Sequence, residues 1–98
     1  MAVVRYSPLA EIELDSIARY TKEKWGVRQA SLYINQLVAE CERLAENPRL
    51  GRRHGKLLPE IRRMECGSHV IYYEPQEDGI QVGGILHKRM LPHRRGIR

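Results

Sequence analysis

Two short stretches carry the side chains best suited to chemistry. "HVIYYE" (69–74) brings His69, Tyr72 and Tyr73, and "ILHKRM" (85–90) brings His87, Lys88 and Arg89. A histidine beside an arginine, with a tyrosine nearby, supplies what RNA cleavage needs. That reaction takes a base for the 2′-hydroxyl, a cation for the phosphorane and an acid for the leaving oxygen. No fixed spacing ties these residues together, so the same charges also read as a solvated strand end. Tyr72 and Tyr73 must point to opposite faces of a strand. One packs beneath the fold, and the other lies on an open face, able to stack on a base or act as an acid. On the last strand His87 and Arg89 share a face and Lys88 takes the other.

Other chemistries lack their parts. The four histidines, at 54, 69, 87 and 93, have no metal-ligand spacing. There is no phosphate loop, nucleophile elbow or acidic pair, so neither metal nor cofactor is expected. Cys41 and Cys66 are too few for a disulfide framework or a zinc site and read as reduced, partly buried thiols.

The elements that must position these residues follow from caps and periodicity. Val3–Tyr6 is a short strand. Ser7 is a good N-cap, and Pro8 suits the first helical position. Ala10, Leu14, Ile17 and Thr21 form one stripe at helical spacing, and Gly26 marks the stop. A second helix runs from about Val27 to Glu46 on Ala30, Tyr33, Ile34, Leu37, Cys41 and Leu44. The one-residue join predicts an antiparallel helical hairpin. Asn47 and Pro48 end it, and "RLGRRHGKLLP" (49–59) is a basic loop. Three strands follow, at 61–66, 69–74 and 80–89. The turns at Gly67-Ser68 and "PQEDG" (75–79) make them an antiparallel meander. The glycine pair Gly83-Gly84 marks a bulge or a close approach by a helix. The expected fold is α+β, with order β-α-α-β-β-β and the antiparallel sheet packed against an N-terminal helical hairpin.

The 98 residues suit a single domain spanning 1–98. A chain this size buries roughly 60–65% of its unfolded surface, enough for one modest core. No apolar run approaches the ~20 residues that span a bilayer. The N-terminus meets charge too early for a signal peptide, so a cytoplasmic protein is expected. Charge is uneven: residues 1–48 hold six Lys/Arg against seven Asp/Glu, and residues 49–98 hold eleven against five. A basic second half favours an anionic partner, either nucleic acid or an acidic protein surface. Leu9, Ile12, Trp25, Val38, Leu57 and Leu58 have no obvious place in so small a core. Exposed apolar residues of this kind mark a contact surface.

"YSPLAEIELDSIARYTKEKWG" with "RQASLYINQL", then "NPRLGRR", "EIRRMECGSHVIYYE" and "ILHKRM" come in this order over nearly the whole chain. Together they resemble the ParE branch of the ParE/RelE toxin superfamily, whose fold has the same element order. The resemblance implies the toxin of a type II toxin–antitoxin module, held inactive by a ParD-type antitoxin in a hetero-oligomer. It implies DNA gyrase as the target, trapped with cleaved DNA by a protein that is not itself an enzyme. Direct nucleic-acid binding is then not expected.

On that reading Arg52, Arg53, Lys56, His87, Lys88 and Arg89 are the target-binding candidates. Leu9, Ile12, Trp25, Val38, Leu57 and Leu58 are the antitoxin-binding ones. The RelE relatives are ribosome-dependent endoribonucleases. The corresponding catalytic set here would be Arg62, Tyr73, His87 and Arg89, although no terminal tyrosine follows His87. ParE-like sequences often have a basic residue where this chain has Gly84, and an aspartate where it has Leu91.

Overall fold

The computed structural model describes residues 2–55 and 60–90. Strand β1 (Val3–Tyr6) leads into helices α1 (Pro8–Trp25) and α2 (Val27–Glu46). A 3₁₀ turn at Pro48–Leu50 precedes strands β2 (Arg52–Arg53), β3 (Arg62–Cys66), β4 (His69–Gln76) and β5 (Gly79–His87). A second 3₁₀ turn takes Lys88–Met90. The helices pack on one face of a five-stranded sheet of order β1-β5-β4-β3-β2.

The capping residues act as expected. The Ser7 hydroxyl accepts the Ala10 N–H at 3.0 Å and donates to the Gly83 carbonyl at 3.0 Å, joining the start of α1 to β5. Gly26 joins the helices at φ +96°, a conformation that side-chain-bearing residues avoid. Ala10 and Ile17 of α1 meet Leu37, Cys41 and Leu44 of α2 over Ile71, Tyr73, Ile80, Val82 and Ile85 of the sheet. Burying this apolar set is what favours a hairpin laid on a sheet.

Three expectations need correction. The stretch 49–59 is not all loop: Arg52 and Arg53 pair with Arg63 and Arg62 as a short edge strand. A strand of two charged residues has no periodicity to read. The last strand stops at His87, and Lys88–Met90 coils, so His87 and Arg89 do not alternate along one strand face. Finally, β1 lies parallel to β5, Val3 opposite Gly79 and Tyr6 opposite Val82, which makes β5 an inner strand.

The glycine pair marks a bulge. Tyr72 lies opposite Gly84 and Tyr73 opposite Val82, so Gly83 is skipped. The extra residue flips the side-chain parity of β5, so that Ile80 and Val82 before it and Ile85 after it all reach the core. The Glu13 carboxylate of α1 accepts the Ile85 N–H at 2.6 Å beside the bulge. A side chain at Gly84 would start 3.4 Å from that carboxylate, so a basic residue at this position would face an acid.

Candidate functional site

An open cleft of about 1030 Å³ runs between the helical hairpin and the end of β5. Ile17, Tyr20 and Trp25 supply its apolar wall, and His69, His87 and Arg89 its polar end. Helix α1 supplies the wall, and the hairpin of β4 and β5 with the turn after it supplies the polar end. His69 and His87 lie directly opposite each other across the strands, their rings edge to face at 5.1 Å and 75°. Sequence reasoning missed Tyr33 as a partner here. Its hydroxyl sits 2.6 Å from His69 Nδ1, accepts the Ser68 N–H at 2.9 Å and lies 3.3 Å from the Cys66 carbonyl.

Electrostatics follow from this burial. Half-burial, with a smaller contribution from His87, lowers His69 to about 4, so its ring is neutral at physiological pH. Burial also pushes the Tyr33 phenol up. Cys41 is raised to about 11, mainly by burial, and Cys66 is raised for the same reason. Both thiols are free, buried and poor nucleophiles.

The sequence candidates divide among several places. Tyr73 is 1% exposed, and its hydroxyl donates to Pro48 O at 2.7 Å and accepts the Gly51 N–H at 2.8 Å. Gly51 packs against the ring without room for a Cβ, which would also come 2.8 Å from the Arg63 carbonyl. Tyr73 therefore latches the 3₁₀ turn to β4, with its hydroxyl proton committed to the Pro48 carbonyl. Arg62 is tied to the same turn, donating to Gly51 O at 2.7 Å. Tyr72 is the tyrosine on the other face, half-buried, with the His54 ring edge-on at 5.1 Å.

Arg52 and Arg53 are exposed on the edge strand, and Arg89 is exposed at the rim of the cleft. His87 is half-buried, and its Nδ1 accepts the Arg89 N–H at 3.1 Å. Lys88 is turned towards Glu65 at 3.5 Å. Trp25 lines the cleft and is 67% exposed. Leu9 and Ile12 lie exposed along α1, while Val38 lines a separate cleft of about 530 Å³ beside β1. Lys56, Leu57, Leu58 and Leu91 lie outside the described residues.

Among the described residues no helix is long and apolar enough to cross a membrane. Tyr73 stands four residues along β4 from His69, the residue opposite His87, roughly 13 Å at the rise of a strand. Tyr33, His69, His87 and Arg89 share the cleft, whereas Tyr73 and Arg62 stand apart from them at the turn.

Residues 4–92 match the family model described as ParE toxin of type II toxin-antitoxin system, parDE. The chain is 39% identical over 85 residues to Toxin ParE1 of Mycobacterium tuberculosis, covering 86% of this chain and 87% of that protein. It is 36% identical over 90 residues to Toxin ParE1 of Caulobacter vibrioides, covering 92% and 93%. It is 34% identical over 82 residues to Toxin ParE of Escherichia coli, covering 83% and 80%. Its fold superposes with a TM-score of 0.74 on a chain of a solved structure titled as the chromosomal ParDE TA system from P. aeruginosa. That likeness covers 89% of this chain and 96% of the other at 17% identity. On the family match and these identities, the chain belongs to the ParE toxin family of type II toxin–antitoxin systems.

Proposed function

We propose that this toxin acts by protein contact on DNA gyrase and is neutralised by a ParD-type antitoxin that fills the apolar cleft in a hetero-oligomer. The observation that carries the reading is the dispersal of the RNA-cleaving candidates. Tyr73 and Arg62 are spent on holding a turn, while His87 and Arg89 stand elsewhere at the cleft. Because Arg62 and Tyr73 do not join His87 and Arg89, the endoribonuclease set expected from the sequence is not assembled, which favours action through what the surface binds. Exposed Arg52, Arg53 and Arg89 carry charge suited to steering an acidic partner. The apolar wall with Tyr20 and Trp25 suits an amphipathic segment of an antitoxin.

The test is brief expression of the chain, with DNA integrity and transcripts read in parallel. DNA double-strand breaks and a DNA-damage response, reproduced with purified gyrase as trapped cleaved DNA, are the expected result. Rapid codon-specific transcript cleavage without DNA damage overturns the gyrase reading in favour of the endoribonuclease.

A further inference from the structure

We propose that His69 and His87 form a two-histidine binding site for a divalent d-block ion, with Zn²⁺ as its simplest occupant, at the sheet end of the cleft. The two residues are directly opposed in the antiparallel ladder. The Lys88 N–H donates to the Ser68 carbonyl at 2.9 Å just beyond them, which makes theirs a pair without mutual backbone hydrogen bonds. Opposed side chains come closest at such positions. An ion about 2.0–2.1 Å from a ring nitrogen lies about 3.2 Å from the ring centre, so two imidazoles on a tetrahedral ion hold their centres about 5 Å apart. The observed separation is 5.1 Å in an edge-to-face contact, so the rings stand at the right spacing and must rotate to bring both Nε2 atoms to one ion.

The surroundings suit the role. With its proton on Nδ1, His69 donates to the Tyr33 hydroxyl, which in turn donates to the Cys66 carbonyl while accepting from Ser68. Every partner in that chain is already in place, and Nε2 of His69 is left with its lone pair. A second residue that fixes tautomer and ring orientation is the usual companion of a metal-binding histidine. On His87 the Nδ1 atom now accepts the Arg89 N–H. An ion on Nε2 requires the His87 proton to move to Nδ1, and the exposed Arg89 amide then turns to water. Among the described residues no group of three or more histidine, cysteine or carboxylate side chains converges. Among the described residues, then, the two histidines are the protein ligands, and the other positions on the ion face the cleft. Imidazole donors favour Zn²⁺, Ni²⁺ and Cu²⁺ over Mg²⁺ and Ca²⁺.

The experiment is a zinc titration of the full-length chain at neutral pH, followed by NMR of the imidazole nitrogens and the backbone amides. The expected result is saturation at one zinc per chain, coordination shifts at Nε2 of both His69 and His87, and a moved Arg89 amide. His87→Gln should weaken binding about tenfold or more, the scale on which even outer partners of a metal site act. His54→Gln and His93→Gln should leave binding unchanged. A response at only one of the two rings, no response at millimolar zinc, or binding abolished by either control variant overturns the proposal. If His87→Gln does not fold, the wild-type nitrogen shifts alone decide.

Discussion

The two ends of β4 use the same kinds of residue to opposite purposes. At the Tyr73 end, tyrosine and arginine close over a turn: both the donor and the acceptor capacity of the Tyr73 hydroxyl are used inside the protein, and Arg62 is bound to Gly51. At the His69 end, tyrosine and histidine are half-buried and line an open cleft, with Arg89 at its rim. Residue type suggests chemistry at both ends, but at the first the tyrosine hydroxyl is used up inside the protein, whereas the second lines an open cleft. The difference arises from what packs above each end. The 3₁₀ turn after α2 sits on Tyr73, whereas the hairpin stands open above His69 and His87.

Breaking the latch should have the largest effect on stability. Tyr73→Ala removes a fully buried ring and should cost about 3–5 kcal/mol. Tyr73→Phe keeps the ring but leaves the Gly51 N–H and Pro48 carbonyl without their partner, for about 1–3 kcal/mol. Denaturant unfolding of both variants measures this. A Phe variant as stable as the parent would show that the turn is held by other contacts.

At the cleft end the expected effect is smaller and depends on pH. Below about pH 6.5 the unfolded chain binds a proton at His69 that the folded chain refuses until about pH 4. Stability is therefore fully present at neutral pH and is lost as pH falls through that window. The loss should be about 1–2 kcal/mol once solvent screening of a half-exposed ring is allowed for. Thermal melts at neutral pH and near pH 4.5 should differ more for the parent than for His69→Gln. Equal differences would assign the acid sensitivity to other groups.

The smallest effect on folding is expected at the rim. Arg89→Ala should change stability by less than about 0.5 kcal/mol, because its side chain is exposed and has no ion pair among the described residues. If Arg89 meets the target, growth inhibition should fall at matched expression, with slower and more salt-sensitive association. Full toxicity in a folded Arg89→Ala variant would remove the strand-end cluster from target binding.

Much of the fold was legible because its boundaries are written in caps and turns. Ser7, Pro8, Gly26, Asn47 and Pro48 delimit the two helices, and Gly67-Ser68 and the turn read at 75–79 delimit the meander, although Pro75 and Gln76 belong to β4 and Gly79 to β5. The parallel docking of β1 leaves no local mark, since its partner lies more than seventy residues away. Strict alternation separated Tyr72 from Tyr73 but could not say which faces inward. The site was less legible for one reason above all. Without the skipped Gly83, the register set by the β4–β5 turn would put His69 opposite Leu86, and only the bulge brings it opposite His87. The glycine pair announced a bulge, but not that the bulge would align two histidines.

The pairing of β1 with β5 also dictates when the protein can become whole. Val3 takes its place beside Gly79, Arg5 pairs with Asp78 at 2.7 Å, and Ser7 reaches Gly83. Each of these contacts closes a loop of more than seventy residues, and loops of that span are slow to close. The helical hairpin, built from neighbours in sequence, has no such wait. During synthesis the first strand is made early, yet its place in the sheet is completed only after β5 has emerged. The cleft shares β5 as one of its walls, so the proposed contact surface cannot be complete before β5 is in place.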